Sequence, residues 1–274
     1  MKTIFSIICI GLILCGSVLI CGCTSDQAPH SESGTGDGDQ KNEELLVYCG
    51  AGMREPMEEV ATAFTRETGV GVNFNFAGSN TLLSQMELTE LGDVYMPGAT
   101  YYFGAADEKG FIDKSHLVAY HVPIIVTPKG NPAHITCLDD LATPGVKVEL
   151  GDPGACAIGK LCNKLLDNNG IRDDVEANVV ARGATVNELV VHTSLGQADA
   201  SIIWEDLYNE KKMDRIDIPA DKNIVKVIPI GSLTFSKHPD EADEFIDFVV
   251  SDTGAGIFEE FGFSTYPDPS FENA

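Results

Sequence analysis

From Leu45 onward, short apolar runs of strand length alternate with amphipathic stretches of helix length, and this restricts the chain to sheets covered by helices. Leu45–Cys49 is apolar without a break, as in a strand buried on both faces. A helix follows, with Pro56 in its first turn, Met57, Val60 and Phe64 on one face, and Gly69 as its stop. Further strands are predicted over 70–76, 93–96, 146–150, 201–204 and 224–231. Helices are predicted after residue 79, near 100–109, from about Cys156 to Asn168, over Val186–Leu195, around Phe245–Val249 and around Ile257-Phe258, with a short one opened by the capping-box pattern at Thr136–Asp139. The runs AYHVPIIVTP (119–128) and IVKVIPIG (224–231) are long enough to leave one sheet and enter another. The expected architecture is therefore α/β with two lobes, each a mostly parallel sheet flanked by helices, joined by two crossings. Residues 43–121 and 225–274 form the first lobe and 122–224 the second.

Four places share one design, in which a strand ends, small residues turn and a helix begins. They are Gly50-Ala51-Gly52-Met53, Gly78-Ser79-Asn80, Gly154 to Ile158, and Gly183-Ala184-Thr185-Val186. Two belong to each expected lobe. Ligands in open parallel sheets bind beyond the carboxyl ends of the strands, and a helix N-terminus carries unpaired N–H groups that hold anions. One such turn is weak evidence, because every βα unit has one. Four facing a single cleft would surround a small anion. Ser79 and Asn80 read as the N-cap residues of their helix.

The start of the chain reads differently. Met1-Lys2 precedes the uncharged run Ile4–Ile20 and then Cys21-Gly22-Cys23, the pattern of a signal peptide over 1–23 whose end resembles a lipobox. Cys23 is the expected lipidation site, with an uncleaved apolar anchor as the alternative. Residues 24–42 contain no aliphatic or aromatic side chain larger than Ala and read as a flexible tether with a reach of roughly 25 Å. Both readings place the folded part outside the cytoplasm, held to the outer face of the membrane.

The 274-residue chain carries 18 basic and 42 acidic residues, a formal charge of −24, and loss of residues 1–23 removes one Lys and no acid. Such acidity excludes nucleic acid and anionic lipid surfaces as partners. It leaves an anionic ligand possible, because local donors govern a buried site. Cys49, Cys137, Cys156 and Cys162 lie outside the leader without CxxC spacing, so a zinc ribbon is excluded while disulfide pairing and buried free thiols both stay open. His116, His121, His134, His192 and His238 show no metal-pair spacing and read as surface or core residues. No nucleophile–base pair and no Gly-x-x-x-x-Gly-Lys phosphate loop is present, so binding is expected rather than catalysis.

Specific motifs carry a resemblance. LLVYCGAG, MEEVATAFTRETGVGVNFNFAGSNTL, VPIIVTPKGNPAHITCLDDLATPGVKVELGDP and QADASIIW, with P-K-G-N-P, L-x-D-L-x-x-P-G-V and G-D-P in order, resemble the molybdate-binding proteins of ABC transporters, within the two-lobe periplasmic-type solute-binding proteins. The resemblance covers nearly all of 45–265. It implies a molybdate or tungstate oxyanion held by neutral hydroxyl and main-chain donors, with no resident cofactor and no protein-bound metal. It also implies delivery of the ligand to a membrane permease by a monomer. Carried over by position, the donors are the Ser79 hydroxyl and the main-chain N–H groups of Ile158 and Val186. Gly52 stands where a serine is usual, leaving the N–H groups of Gly52 and Met53, and Trp204 stands where a tyrosine is usual. An indole N–H donates but cannot accept. Asp152 reads as the shaper of a Pro-containing turn, and Glu205 and Asp206 as a solvated loop. Two rivals remain at this level: a soft-metal (copper-type) binding or redox lipoprotein using Cys49, Met53, Met96 and Cys156, and a sensor subunit that passes its closed state to a signalling partner.

Overall fold

The structure, a computed structural model, describes residues 44–271. The expected signal peptide, Cys23 and the 24–42 tether lie outside the described residues. The chain opens with β1 (Glu44–Gly50), a 3-10 turn (Ala51–Met53), α1 (Arg54–Thr68), β2 (Gly71–Ala77), α2 (Ser79–Thr89), β3 (Val94–Met96), α3 (Thr100–Glu108) and β4 (Ile112–His121). It continues through β5 (Pro123–Pro128), a 3-10 turn (Leu138–Ala142), β6 (Val148–Gly151), α4 (Ala157–Asn168), α5 (Arg172–Ala177), β7 (Val179–Gly183), α6 (Val186–Ser194), β8 (Ala200–Trp204), a turn at Glu205–Leu207 and β9 (Met213–Asp217). It closes with β10 (Lys226–Leu233), α7 (Pro239–Val249), α8 (Asp252–Glu260), β11 (Ser264–Thr265) and a turn at Pro269–Phe271. Among the described residues no helix is long and apolar enough to cross a membrane.

Two sheets with flanking helices result, ordered β11-β4-β10-β3-β1-β2 and β7-β6-β8-β5-β9. They are mixed rather than mostly parallel. β1 pairs in parallel with β2 and β3, and β6 with β7 and β8, because a helix crosses over between these strands. β10 runs antiparallel to both β3 and β4, and β5 antiparallel to both β8 and β9. β4 ends at His121 in the first sheet and β5 starts at Pro123 in the second, so the AYHVPIIVTP run does change sheets, at Val122. IVKVIPIG does not: β10 lies wholly in the first sheet, and the return passes through 218–225. The Asn223 amide donates to the Pro123 carbonyl (2.9 Å) and the Glu205 N–H to that of Val122 (2.8 Å), fastening the two crossings to each other and to the end of β8.

Local chemistry sets the boundaries. Gly69 ends α1 with φ 82° and donates its N–H to the Thr65 carbonyl (2.9 Å), a left-handed stop that costs glycine nothing. Thr185 caps α6 by accepting from the Glu188 N–H, while the Glu188 carboxylate accepts from the Ala184 N–H (3.0 Å). α5, β7, β9 and β11 carry no clear sequence signal. β7 and β9 are the outer strands of their sheet and half-exposed, so neither needs an unbroken apolar run.

Under the first sheet, Phe64 of α1 is fully buried and meets Phe245 and Phe248 of α7 edge-on at 5.1 and 5.5 Å. A second apolar cluster is continuous from Leu82 and Tyr95 to Ile158, Ile203 and Trp204, so the two lobes share buried surface. Phe64→Ala leaves a ring-sized hole between α1 and α7 and is expected to lower stability by about 3–5 kcal/mol in urea unfolding. A loss below 1 kcal/mol would show that α7 collapses into the space.

Candidate functional site

All four strand–turn–helix joins meet. Gly50 to Met53 before α1, Gly78 and Ser79 at the start of α2, Cys156 to Ile158 at the start of α4, and Thr185 and Val186 at the start of α6 line one cavity between the lobes. Ala77, Gly98, His121 and Trp204 complete its wall. The structure thus brings together all six residues singled out from sequence: Gly52, Met53, Ser79, Ile158, Val186 and Trp204. No Asp, Glu, Lys or Arg lines it. Only about 20 Å³ is open to the centres of water-sized atoms, room for a water or a small ion but not an organic metabolite. First-turn N–H groups have no acceptor within their own helices, so this wall offers donors and almost no formal charge. Such a site suits a small anion.

Ser79 does not cap α2. The N-cap is Gly78, and the Ser79 side chain, 2% exposed, accepts the Gly98 N–H at 3.0 Å through its Oγ. That bond occupies an acceptor site and leaves the hydroxyl proton free to donate. Asn80 also departs from expectation. Its N–H donates to the Ala155 carbonyl (3.0 Å) and its side-chain amide to the Gly154 carbonyl (2.6 Å), so it spans the two lobes rather than waiting for an anion. Asn187 of α6 reaches back to the Ala51 carbonyl (3.0 Å), and the Tyr102 hydroxyl of α3 to that of Pro153 (3.3 Å). Asp152 holds its turn as expected, accepting the Gly154 N–H at 2.7 Å.

Two glycines make the closed arrangement possible. A Cβ on Gly78 would lie 2.5 Å from the Ala155 oxygen and 2.7 Å from that of Ala184, both in the other lobe. A Cβ on Gly52 would sit 3.3 Å from Val186 Cγ1 and 3.5 Å from Trp204 Cδ1. Position 52 thus packs closely on Val186 and at ordinary contact distance on the indole, with little spare room between them. Trp204 is 2% exposed and stacks on His121 with ring centroids 4.4 Å apart and planes 2° from parallel.

Other expectations are corrected. Cys49, Cys137, Cys156 and Cys162 are free thiols. Cys49 and Met96 point into the core beneath the first sheet with Met53, whereas Cys156 belongs to the inter-lobe cluster, so the proposed soft-metal set does not assemble. Among the described residues no three His, Cys, Asp or Glu side chains come together. Burial pushes the Cys49 thiol up strongly and that of Cys156 to about 11, so both stay protonated. Asp206 is not part of a solvated loop: its side chain is 3% exposed, and burial, assisted by the charge of Glu205, holds its carboxyl well above the usual range. Glu205 instead pairs with Arg215 at 2.8 Å. His121, 0% exposed, is both a core residue and a wall of the cavity, and burial lowers it to about 4 against the opposing Gly98 carbonyl bond. Sequence reasoning missed Gly98 and the site role of His121. The only available signal for His121 was its place at the end of the run that changes sheets.

Residues 45–264 match the family described as bacterial extracellular solute-binding protein, and the chain belongs to that family, whose members bind solutes rather than transform them. It is 27% identical to a putative binding protein of Haemophilus influenzae, over 80% of this chain and 90% of that one. It is 26% identical to the molybdate-binding protein ModA of Mycobacterium tuberculosis, over 92% and 96%. Its fold matches that of the sulfate-binding protein SubI from Mycobacterium tuberculosis with a TM-score of 0.73 at 19% identity, over 83% and 88%.

Gly78→Ala is expected to hold the lobes apart, because its methyl meets backbone rather than a movable side chain. Small-angle scattering should give a larger radius of gyration than the parent protein under the same conditions. An unchanged profile would mean that the turn at Gly78 shifts to absorb the methyl.

Proposed function

We propose that the protein captures a tetrahedral oxyanion, molybdate or tungstate, between its lobes and delivers it to an ABC permease. One observation carries the reading: four helix N-termini and the Ser79 hydroxyl converge on an ion-sized cavity without a lining carboxylate or ammonium. Each N–H or O–H bond to the anion is charge-assisted and strengthens as closure excludes water. The main-chain N–H groups of Gly52, Met53, Ile158 and Val186, the Ser79 hydroxyl and the Trp204 indole N–H are the donors in this reading. These six groups all donate, which suits a fully deprotonated anion. Hydrogen phosphate brings a proton that needs an acceptor, and leaving it unpaired is costly. The name of the Mycobacterium tuberculosis relative supports molybdate, and the SubI fold match shows that the same scaffold also serves sulfate. In this reading a lipid anchor at Cys23 and the 24–42 tether keep a monomer close to the permease.

Isothermal titration of the purified protein against molybdate, tungstate, sulfate and phosphate tests the reading. Tight binding of the first two with weaker sulfate and phosphate binding is expected, and no binding of any of the four would overturn it. Ser79→Ala removes one charge-assisted bond worth about 1.5–3 kcal/mol, a loss of about tenfold to a hundredfold in molybdate affinity. Unchanged affinity would take Ser79 out of the site.

A further inference from the structure

We propose that His121 is a binding residue of this cavity that takes up a proton from solvent as a dianion enters, so that anion capture and proton capture are one linked event. The inference rests on the oxyanion reading given above. His121 closes β4 and lines the cavity beside Ser79, Cys156 and Trp204. Its Nδ1 lies 2.8 Å from the Gly98 carbonyl oxygen, which can only accept, so Nδ1 carries a hydrogen. In the neutral ring Nε2 is then a bare lone pair, and it has no hydrogen-bond partner although it is buried. Asp206 Oδ1 is a titratable neighbour at 3.8 Å, too far for a hydrogen bond, and Asp206 Oδ2 is unpartnered as well. Four buried side-chain polar atoms among the described residues lack partners, and two of them belong to this neighbouring pair, His121 and Asp206. Unpaired buried polar groups in a native protein call for an explanation, and an exchangeable proton supplies one.

The surroundings fix the sign. From the turn after β8 come Asp206, held protonated by burial, and Glu205, which is turned to Arg215. Trp204 and Phe263, the rings packed on the imidazole, carry no charge. The first turn of α4 contributes Cys156 as a thiol. On the neighbouring strand Lys226 is in register with His121, but its ammonium lines a separate groove together with Lys164. With the cavity empty, His121 and Asp206 are therefore both uncharged near neutral pH. A dianion in a site of low dielectric favours the imidazolium over the imidazole. The Nε2 lone pair forms an N–H bond with a proton supplied by solvent, and no other bond changes. The free-state value of about 4 then rises in the complex. Affinity is level above the raised value, increases as pH falls through it, and levels again near the free-state value, with a limiting slope of tenfold per pH unit.

The test is calorimetry of molybdate binding to the whole protein between pH 6 and 8.5, in pairs of buffers with different protonation enthalpies. Uptake approaching one proton per molybdate at the acid end is expected, with the Kd falling as pH falls. His121→Gln removes the titratable ring and should bind molybdate with no proton uptake and a level Kd. The imidazole ¹⁵N shifts of His121 in the unaltered protein provide a reading that needs no variant, and should move from the neutral to the charged pattern on adding molybdate. Molybdate binding without proton exchange, or uptake that persists in H121Q, overturns this inference and leaves the oxyanion reading standing. Failure of the unaltered protein to bind any oxyanion overturns both.

Discussion

A helix N-terminus shut away from water leaves backbone N–H groups that its own helix cannot satisfy. Here four such ends are driven against one another, and most of the inter-lobe geometry is an answer to that constraint. Some of the donors are consumed by the protein itself. The Asn80 N–H takes the Ala155 carbonyl of the opposite lobe, and the Ser79 hydroxyl oxygen takes the Gly98 N–H. Gly52, Met53, Ile158 and Val186, at the other joins, line a space with room for little more than a water or a small ion. The lobes are held together by polar backbone contacts as well as by the apolar cluster that runs across them. Closing them therefore depends on where carbonyls sit, to within a few tenths of an ångström. The Gly78 position, where a single methyl would collide with two carbonyl oxygens, is the clearest case.

The pairing of Gly52 with Trp204 follows the same logic. A hydroxyl at position 52 and a phenol at position 204 would each place a donor on the end of a side chain. In this chain glycine stands at 52, and the indole at 204 lies within contact distance of it with its flat face braced by His121. The donor set moves from side chains toward backbone. Backbone donors are fixed by the helices that carry them and lose no rotamer freedom on binding, so the exchange trades adaptability for preorganisation.

Much of this was legible from residue pattern alone, for identifiable reasons. β1 and β8 are central strands, and burial on both faces wrote itself into apolar runs such as Leu45-Leu46-Val47-Tyr48-Cys49 and Ile202-Ile203-Trp204. The four small-residue turns were visible because close approach of backbones tolerates little else. What stayed hidden was local in a different sense. The outer strands β7 and β9 have one unpaired flank and no strong apolar demand. The mixed sheet pairing depends on which strands lack a crossover helix, and residue pattern does not show that for β10. Asp206 looked like an exposed carboxylate beside Glu205. Its burial is imposed by the way the crossings bring the end of β8 against His121, a contact between residues 85 positions apart in a chain of 274.

The overall charge and the cavity oppose each other. A formal charge of −24 sets up a field that repels small anions from most of the surface, so long-range steering cannot assist their arrival. That field is screened beyond a Debye length of about 8 Å at physiological ionic strength, whereas the donors act at hydrogen-bond distance in a space from which water is excluded. The physical balance thus places selectivity in the closed state and in how slowly it releases its ligand, with the rate of encounter contributing little. Salt then acts on the two halves unequally. It relieves the repulsion felt by an approaching anion and leaves hydrogen bonds in the buried cavity almost untouched, so ionic strength acts on the rate of encounter far more than on the closed state.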